Sequence, residues 1–297
     1  MSKVSVLGAG IMGAGIAQLA AMAGDDAHCR DVSEEQLERA RSSVSASLAR
    51  FVKAEKLTAE EAQAVEGRIT FTEDLESTLD GADVAVEAVP EVYDLKRRVL
   101  AEMAALAPAD ALLGTNTSQL SITSLATALG EDAPRLVGIH FFNPPVMMRL
   151  VELVSGLRTL DSEVERARAF ARSLGKDVVV CRRDSPGFIT SRAYAILRLE
   201  CVRMLEEGVA SAEDIDKAMK LGFNFPMGPL ELGDMNGLDT FVNALEGLER
   251  AHGDRFHPTV GLRNMISAKH LGRKTGWGFY RYEDGSRVET ADQAGQA

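Results

Sequence analysis

A glycine-rich run near the N-terminus, Gly8-Ala9-Gly10-Ile11-Met12-Gly13, is the first place where residue type and spacing point to chemistry. It follows the apolar stretch Val4–Leu7 and opens a helical pattern, the context in which GxGxxG holds a pyrophosphate. Gly8 permits a tight turn, Gly10 lets the backbone approach phosphate oxygens, and Gly13 lets helix and strand pack closely. The phosphates would meet unpaired N–H groups of a helix N-terminus, which brings Ala9, Ile11 and Met12 into the same cofactor-binding set. Asp31, about 20 residues further on, can accept from a ribose 2′-hydroxyl and repel a 2′-phosphate, so NAD is expected rather than NADP. The competing reading is a ligand-free turn with Asp31 as a helix cap.

Two later segments hold further polar groups at the ends of apolar runs. One is Gly114-Thr115-Asn116-Thr117-Ser118; the other is Gly138-Ile139-His140-Phe141-Phe142-Asn143-Pro144-Pro145, followed by Leu150-Val151-Glu152-Leu153-Val154. Both begin at the C-terminal ends of predicted strands, where open α/β sheets bind ligands. A lone histidine at a strand end reads more readily as a hydrogen-bonded structural residue, a balance that Asn143, the double proline and the spaced Glu152 reverse. Glu152 lies between apolar pairs, where an unpaired charge would be costly to bury.

The elements that must position these residues alternate. Predicted strands are 4–7, 27–30, 68–71, 84–87, 111–114, 136–140, 150–154 and 177–181, with helical stretches such as 12–23, 34–53 and 95–106 between them. That alternation predicts an α/β Rossmann-type, doubly wound and mostly parallel sheet. Ala27-His28-Cys29-Arg30 is polar for a strand buried on both faces. Residues 188–270 read as helices broken at Gly208, Gly222, Pro226, Gly228-Pro229, Gly237 and Gly253. We therefore expect a nucleotide-binding domain over 1–184 and an all-α domain over 185–297, with a polar, loosely held tail from Glu283.

Thirty-three Lys+Arg against 44 Asp+Glu give a net charge of -11, which argues against a nucleic-acid partner. Cys29, Cys181 and Cys201 are scattered, forming neither a disulfide framework nor a CxxC metal pair, so no metal is expected. Neither a signal peptide nor a membrane-length apolar run is seen, and a cytoplasmic location is expected.

The chain resembles the 3-hydroxyacyl-CoA dehydrogenase family, including bacterial 3-hydroxybutyryl-CoA dehydrogenases, from residue 3 to about 282. The resemblance is carried by GAGIMGAGIA, EAVPE with Lys96 downstream, TNTS, HFFNPP, DSPGFI, AMKLGFNFPMGPLEL, GLDT and GRKTGWGFY. It implies reversible NAD-dependent oxidation of a short (S)-3-hydroxyacyl-CoA to the 3-ketoacyl-CoA, as in fatty acid β-oxidation, by a homodimer paired through the helical domain. It places the catalytic acid/base on His140 and its partner carboxylate on Glu152. Chemistry agrees: an imidazole titrating near neutrality suits the hydroxyl proton, and a carboxylate on its other nitrogen stabilises the imidazolium. The resemblance further implies that Ser118 and Asn143 lie between substrate and nicotinamide, that Glu91 and Lys96 contact the cofactor, and that Ser47 holds CoA. The family's lysine for CoA falls on Ala54, with Lys53 and Lys56 nearby. One departure stands out. Ser191 replaces an asparagine that the family sets near the substrate carbonyl, and it is shorter with one donor. A carrier-protein-tethered hydroxyacyl group or a free hydroxy acid is the alternative substrate, although Phe141-Phe142 favours an acyl thioester. The apolar content of 194–205 (Tyr194, Ile196, Leu197, Leu199, Met204, Leu205) exceeds what one helix layer must bury, which also suggests a dimer.

Overall fold

The computed structural model describes residues 1–288, and the chain divides into two compact units, Met1–Phe188 and the remainder from Ile189. The first unit runs β1 (Lys3–Leu7), α1 (Ile11–Met22), β2 (Asp26–Arg30), α2 (Glu34–Lys53), α3 (Ala59–Glu66), β3 (Ile69–Thr72), α4 (Leu75–Leu79) and β4 (Val84–Glu87). It continues with α5 (Tyr93–Leu106), β5 (Leu112–Thr115), α6 (Ile122–Ala126), β6 (Leu136–Phe141), β7 (Leu150–Ser155), α7 (Asp161–Ser173) and β8 (Asp177–Cys181). All eight strands join one sheet in the order β3-β2-β1-β4-β5-β6-β7-β8. Neighbours are parallel except β6 and β7, which are antiparallel.

Strands β4, β5 and β6 are buried along their whole length, as sheets covered on both faces require, so they are written in apolar residues. Alternation splits the core in two. Val4, Val6, Val86, Ile139 and Phe141 join Ile16, Ala17 and Leu37 in one cluster; Leu7, Ala85, Leu113, Leu136 and Phe188 join Leu100, Met103 and Ile122 in the other. Each such side chain contributes roughly 1.5–3 kcal/mol on burial. The polar β2 is explained by its faces: Ala27 and Cys29 are fully buried, while Asp26, His28 and Arg30 are only half-buried.

The expected domain boundary at 184 moves to Phe188 because the intervening segment is tied to the sheet. Asp184 Oδ2 accepts from Ser121 Oγ at 2.5 Å and Thr123 N at 2.7 Å, and Phe188 is 4% exposed in the second cluster.

The second unit contains α8 (Thr190–Glu206), α9 (Ala212–Phe223), α10 (Pro229–Asn236), α11 (Leu238–His252) and α12 (Val260–Ser267) around Leu199, Val202, Leu230, Leu238, Leu245 and Phe256. Two buried acids organise it. Asp216 accepts from Leu230 N, Glu231 N and Tyr280 Oη at 2.8–2.9 Å, capping α10. Asp234 accepts from Phe279 N and Tyr280 N at 2.9 Å and from Tyr282 Oη at 3.2 Å. Gly278 has no alternative: a Cβ there would stand 2.0 Å from Asp234 Oδ1. Burial pushes the Asp234 carboxyl up to about 6, against those three hydrogen bonds.

Two expectations are corrected here. Gly222 does not break its helix, because α9 runs through it to Phe223 and ends on the left-handed Asn224 (φ 58°). The tail from Glu283 is not loose at its start: β9 (Arg281–Glu283) and β10 (Ser286–Val288) pair antiparallel. Residues 289–297 lie outside the described residues. Among the described residues no helix is long and apolar enough to cross a membrane.

Candidate active site

Most helices of the first unit carry side-chain caps, such as Ser33 on α2, Thr58 on α3 and Ser121 on α6. Helix α1 does not. Its N-cap is Gly10, no side chain accepts from its first turn, and that turn carries no acid. Its unpaired N–H groups and positive dipole end are therefore available to an anion. The three glycines separate by role. A Cβ on Gly8 (φ 106°) would meet the Ala88 backbone at 2.8 Å, and one on Gly13 would meet Gly8 O at 1.7 Å. Gly10 has an ordinary φ of −67°, and its Cβ would meet nothing within 4 Å. Packing requires glycine at 8 and 13; only the close approach of a ligand gives a reason for it at 10, and a pyrophosphate fits.

Asp31 holds this loop from β2. Its Oδ2 accepts from Ala9 N and its Oδ1 from Val32 N, both at 2.8 Å. Gln36 secures the other side of the same peptide, donating Nε2 to Ala9 O at 2.8 Å. The Asp31 carboxylate is thus fixed at the C-terminal end of β2.

A buried network links the ends of β4 and β5. Lys96 Nζ lies 2.8 Å from Glu87 Oε1, with both side chains 0% exposed. The ammonium also donates to Val89 O and Asn116 O at 3.1 Å and faces Glu91 Oε2 at 3.4 Å. Glu87 accepts further from Thr115 Oγ1 at 2.6 Å and Val89 N at 2.7 Å. Burial pushes its carboxyl above the ordinary range, against the pull of the Lys96 ammonium. Glu91 Oε1 accepts from Thr117 Oγ1, Ser118 N and Gln119 N, and so shapes the TNTS loop. Lys96, expected at the cofactor, is enclosed by protein oxygens; the half-exposed Glu91 is the member of the pair that reaches the surface.

His140 and Glu152 are joined by strand register. In the antiparallel ladder of β6 and β7, His140 stands directly opposite Glu152. Cross-strand side chains on one face are close neighbours, and Nδ1 of His140 lies 2.9 Å from Glu152 Oε2. His140 is 6% exposed and Glu152 0%. The rings of Phe142 and Phe188 flank the imidazole at 4.5 and 5.7 Å between centroids, which keeps water scarce around it. Asn116 Oδ1 accepts from Phe141 N at 3.0 Å, tying the TNTS loop to the histidine strand. The turn after Phe142 is held from below: Lys176 Nζ donates to Pro145 O at 2.7 Å and Met148 O at 2.9 Å, and burial lowers its pKa. Asn143 is exposed on this turn, and neither its side chain nor the Ser118 hydroxyl is hydrogen-bonded among the described residues.

The first unit therefore brings Gly8–Gly13, Asp31, Glu91, Lys96, Ser118, His140, Asn143 and Glu152 to the C-terminal edge of β1, β2, β4, β5 and β6. Ser191 belongs to the first turn of α8 in the second unit. Ser47 falls on the inward stripe of α2 with Leu37, Ala40, Val44 and Leu48 and is 5% exposed. Glu87, Gln36 and Lys176 were not anticipated. The signal for Glu87 is a charged residue inside the otherwise apolar run Val84–Val89; for the other two there is none.

Residues 3–185 match the family model described as 3-hydroxyacyl-CoA dehydrogenase, NAD binding domain, and residues 187–282 match that of the C-terminal domain. A probable 3-hydroxybutyryl-CoA dehydrogenase of Deinococcus radiodurans is 41% identical over 281 residues, spanning 94% of this chain and 100% of the relative. The mitochondrial hydroxyacyl-coenzyme A dehydrogenase of Rattus norvegicus is 38% identical over 290 residues, 95% of this chain and 92% of its own. The solved structure of the (S)-3-hydroxybutyryl-CoA dehydrogenase of Ralstonia eutropha superposes with a TM-score of 0.91 at 38% identity, covering 96% of this chain and 100% of that one.

Proposed function

The chain belongs to the 3-hydroxyacyl-CoA dehydrogenase family, and we propose that it oxidises a short (S)-3-hydroxyacyl-CoA reversibly with NAD, using His140 as acid and base. The observation that carries this assignment is the buried His140–Glu152 contact. With Nδ1 engaged by the carboxylate, that nitrogen carries the proton and Nε2 keeps its lone pair. Nε2 takes the hydroxyl proton as the C–H electron pair leaves the same carbon, and Glu152 stabilises the imidazolium. Bound NAD supplies the hydride acceptor. In reverse, the imidazolium returns the proton to the forming alkoxide. Gly10, with Ala9, Ile11 and Met12, would cradle the pyrophosphate; Asp31 would hold the ribose; Glu91 would set Ser118 beside the nicotinamide; and Asn143 and Ser191 would orient the acyl carbonyl.

The relatives named above act, by name, on CoA thioesters or hydroxyacyl-coenzyme A, which favours that carrier over an acyl carrier protein or a free hydroxy acid. A homodimer remains our reading, on new grounds. Leu199 is buried, and Ile196, Leu197, Met204 and Leu205 pack on the unit's own core, but Leu221 (77%) and Phe223 (70%) stand exposed at the end of α9. The free cysteines fit a reducing, cytoplasmic setting.

The test is NADH oxidation with acetoacetyl-CoA, followed by absorbance. The parent turns over, and His140→Gln lowers kcat by roughly 10²–10⁴-fold while NADH affinity holds. Near-parental turnover in the variant removes His140 from the mechanism.

A further inference from the structure

The connection between β6 and β7, residues 142–149, is short of donors of its own. Pro144 and Pro145 have no N–H, and the backbone bonds from Met147 N and Met148 N both fall on Pro144 O at 3.0 Å. The carbonyls of Pro145 and Met148 need a donor from elsewhere, because a buried carbonyl without one is costly. Lys176, on the segment between α7 and β8, is that donor: it is 8% exposed, and its Nζ reaches Pro145 O at 2.7 Å and Met148 O at 2.9 Å.

An ammonium is an expensive group to bury. Among the described residues no carboxylate pairs with this one; Asp177, its neighbour in the chain, is joined to Arg149 at 2.9 Å instead. Packing would be served as well by methionine. What lysine adds is several donors on one point charge at the end of a long stem, able to gather two carbonyls three residues apart.

The same turn is held from its other side. Pro145 packs on α1 at Gly15, where a Cβ would stand 2.9 Å from Pro145 Cγ. Pro145 is thus fixed between the helix that follows the glycine loop and the Lys176 ammonium. Two residues before it stands Asn143, exposed and without a side-chain hydrogen bond among the described residues. Three residues earlier again, His140 is held by Glu152. The place of Asn143 is therefore set through its backbone, and that backbone is set at Pro145.

We propose that Lys176 is a positioning residue for the reaction: by clamping Pro145 and Met148 it aligns the Asn143 side chain with the acyl carbonyl and with His140. The inference rests on the reading above that Asn143 orients that carbonyl. Alignment of this kind weighs heavily on rate, since a misplacement of about 1 Å can cost on the order of 10²-fold.

The experiment is a double-mutant cycle of Lys176→Met and Asn143→Ala. It is read as kcat and KM for NADH-dependent reduction of acetoacetyl-CoA, with NADH affinity by fluorescence and Tm for each protein. Lys176→Met lowers kcat by roughly 10- to 100-fold, with KM and NADH affinity little changed, and Tm falls because two carbonyls lose their donor. Added to Asn143→Ala, it removes at most about twofold more, because both act through one contact. Lys176→Gln, one bond shorter but still a donor, loses less in the same way and takes its place in the cycle if Lys176→Met does not fold. Losses that multiply overturn the proposal and leave Lys176 a residue of the fold. So does parental kcat in Lys176→Met, or a rise of KM with kcat unchanged; each of these leaves the dehydrogenase reading intact. Parental turnover in Asn143→Ala removes the reading of Asn143 and the proposal with it. No turnover by the parent overturns the dehydrogenase reading as well.

Discussion

Lys96 shows how far a single buried side chain can matter to the fold. Its ammonium has no exposure and is surrounded by Glu87, Glu91 and two backbone carbonyls. Removing one partner of a buried pair leaves the other charge uncompensated, which costs about 3–5 kcal/mol. Lys96→Met is therefore expected to lower the denaturant midpoint sharply. Glu87→Gln with Lys96→Met, which removes both charges, should recover much of the loss. The functional effect is indirect, because Glu91 would lose its cation while still receiving Thr117, Ser118 and Gln119. A Lys96→Met protein of normal stability but weak NADH binding would instead mark Lys96 as a direct cofactor ligand.

At the scale of elements, the turn from β1 into α1 separates folding from binding. Gly13→Ala would drive a methyl into Gly8 O and should destabilise the fold by about 1–3 kcal/mol or more. Gly10→Ala meets no protein atom and should leave Tm within about 1 kcal/mol equivalent while weakening NADH in a fluorescence titration. Unchanged NADH affinity in Gly10→Ala would remove the pyrophosphate from that loop. Elements of this kind were legible in the sequence. All eight strands could be placed, because strands buried on both faces must be apolar, and the glycine run stands beside its own strand. His140 and Glu152 were legible as members of short motifs. The remainder was hidden for physical reasons. Lys176 and Gln36 act through long side chains on loops far away in sequence, so no local pattern marks them. Asn224 ends α9 where Gly222 had seemed the natural stop, since a helix tolerates glycine if its other residues pack. The β9–β10 hairpin has strands of only three residues each, too short to show alternation.

For the molecule as a whole, the second unit carries a built-in response to pH. Asp234 titrates near 4 when unfolded and is pushed up to about 6 by burial in the fold. A carboxyl with a raised folded pKa contributes stability that is fully present below the unfolded value and is lost as pH rises through the folded one. Between pH 4 and 6 this amounts to on the order of 3 kcal/mol. Calorimetry should show the parent losing stability from this group across that window, and Asp234→Asn should flatten that part of the profile. An unchanged pH profile in Asp234→Asn would assign the sensitivity to other groups. The division at Phe188 is also a division in time. Chains are made from the N-terminus, and domains fold as units while synthesis continues. The last strand of the sheet ends at Cys181, the second apolar cluster closes with Phe188, and the His140–Glu152 ladder is finished by Ser155. The glycine loop and the His140–Glu152 pair are thus fully translated before the first residue of α8 leaves the ribosome. What the later-made residues add is the helical unit around Leu199, Leu230, Leu238 and Leu245, so the paired His140 and Glu152 are in the chain before the unit that follows them is made.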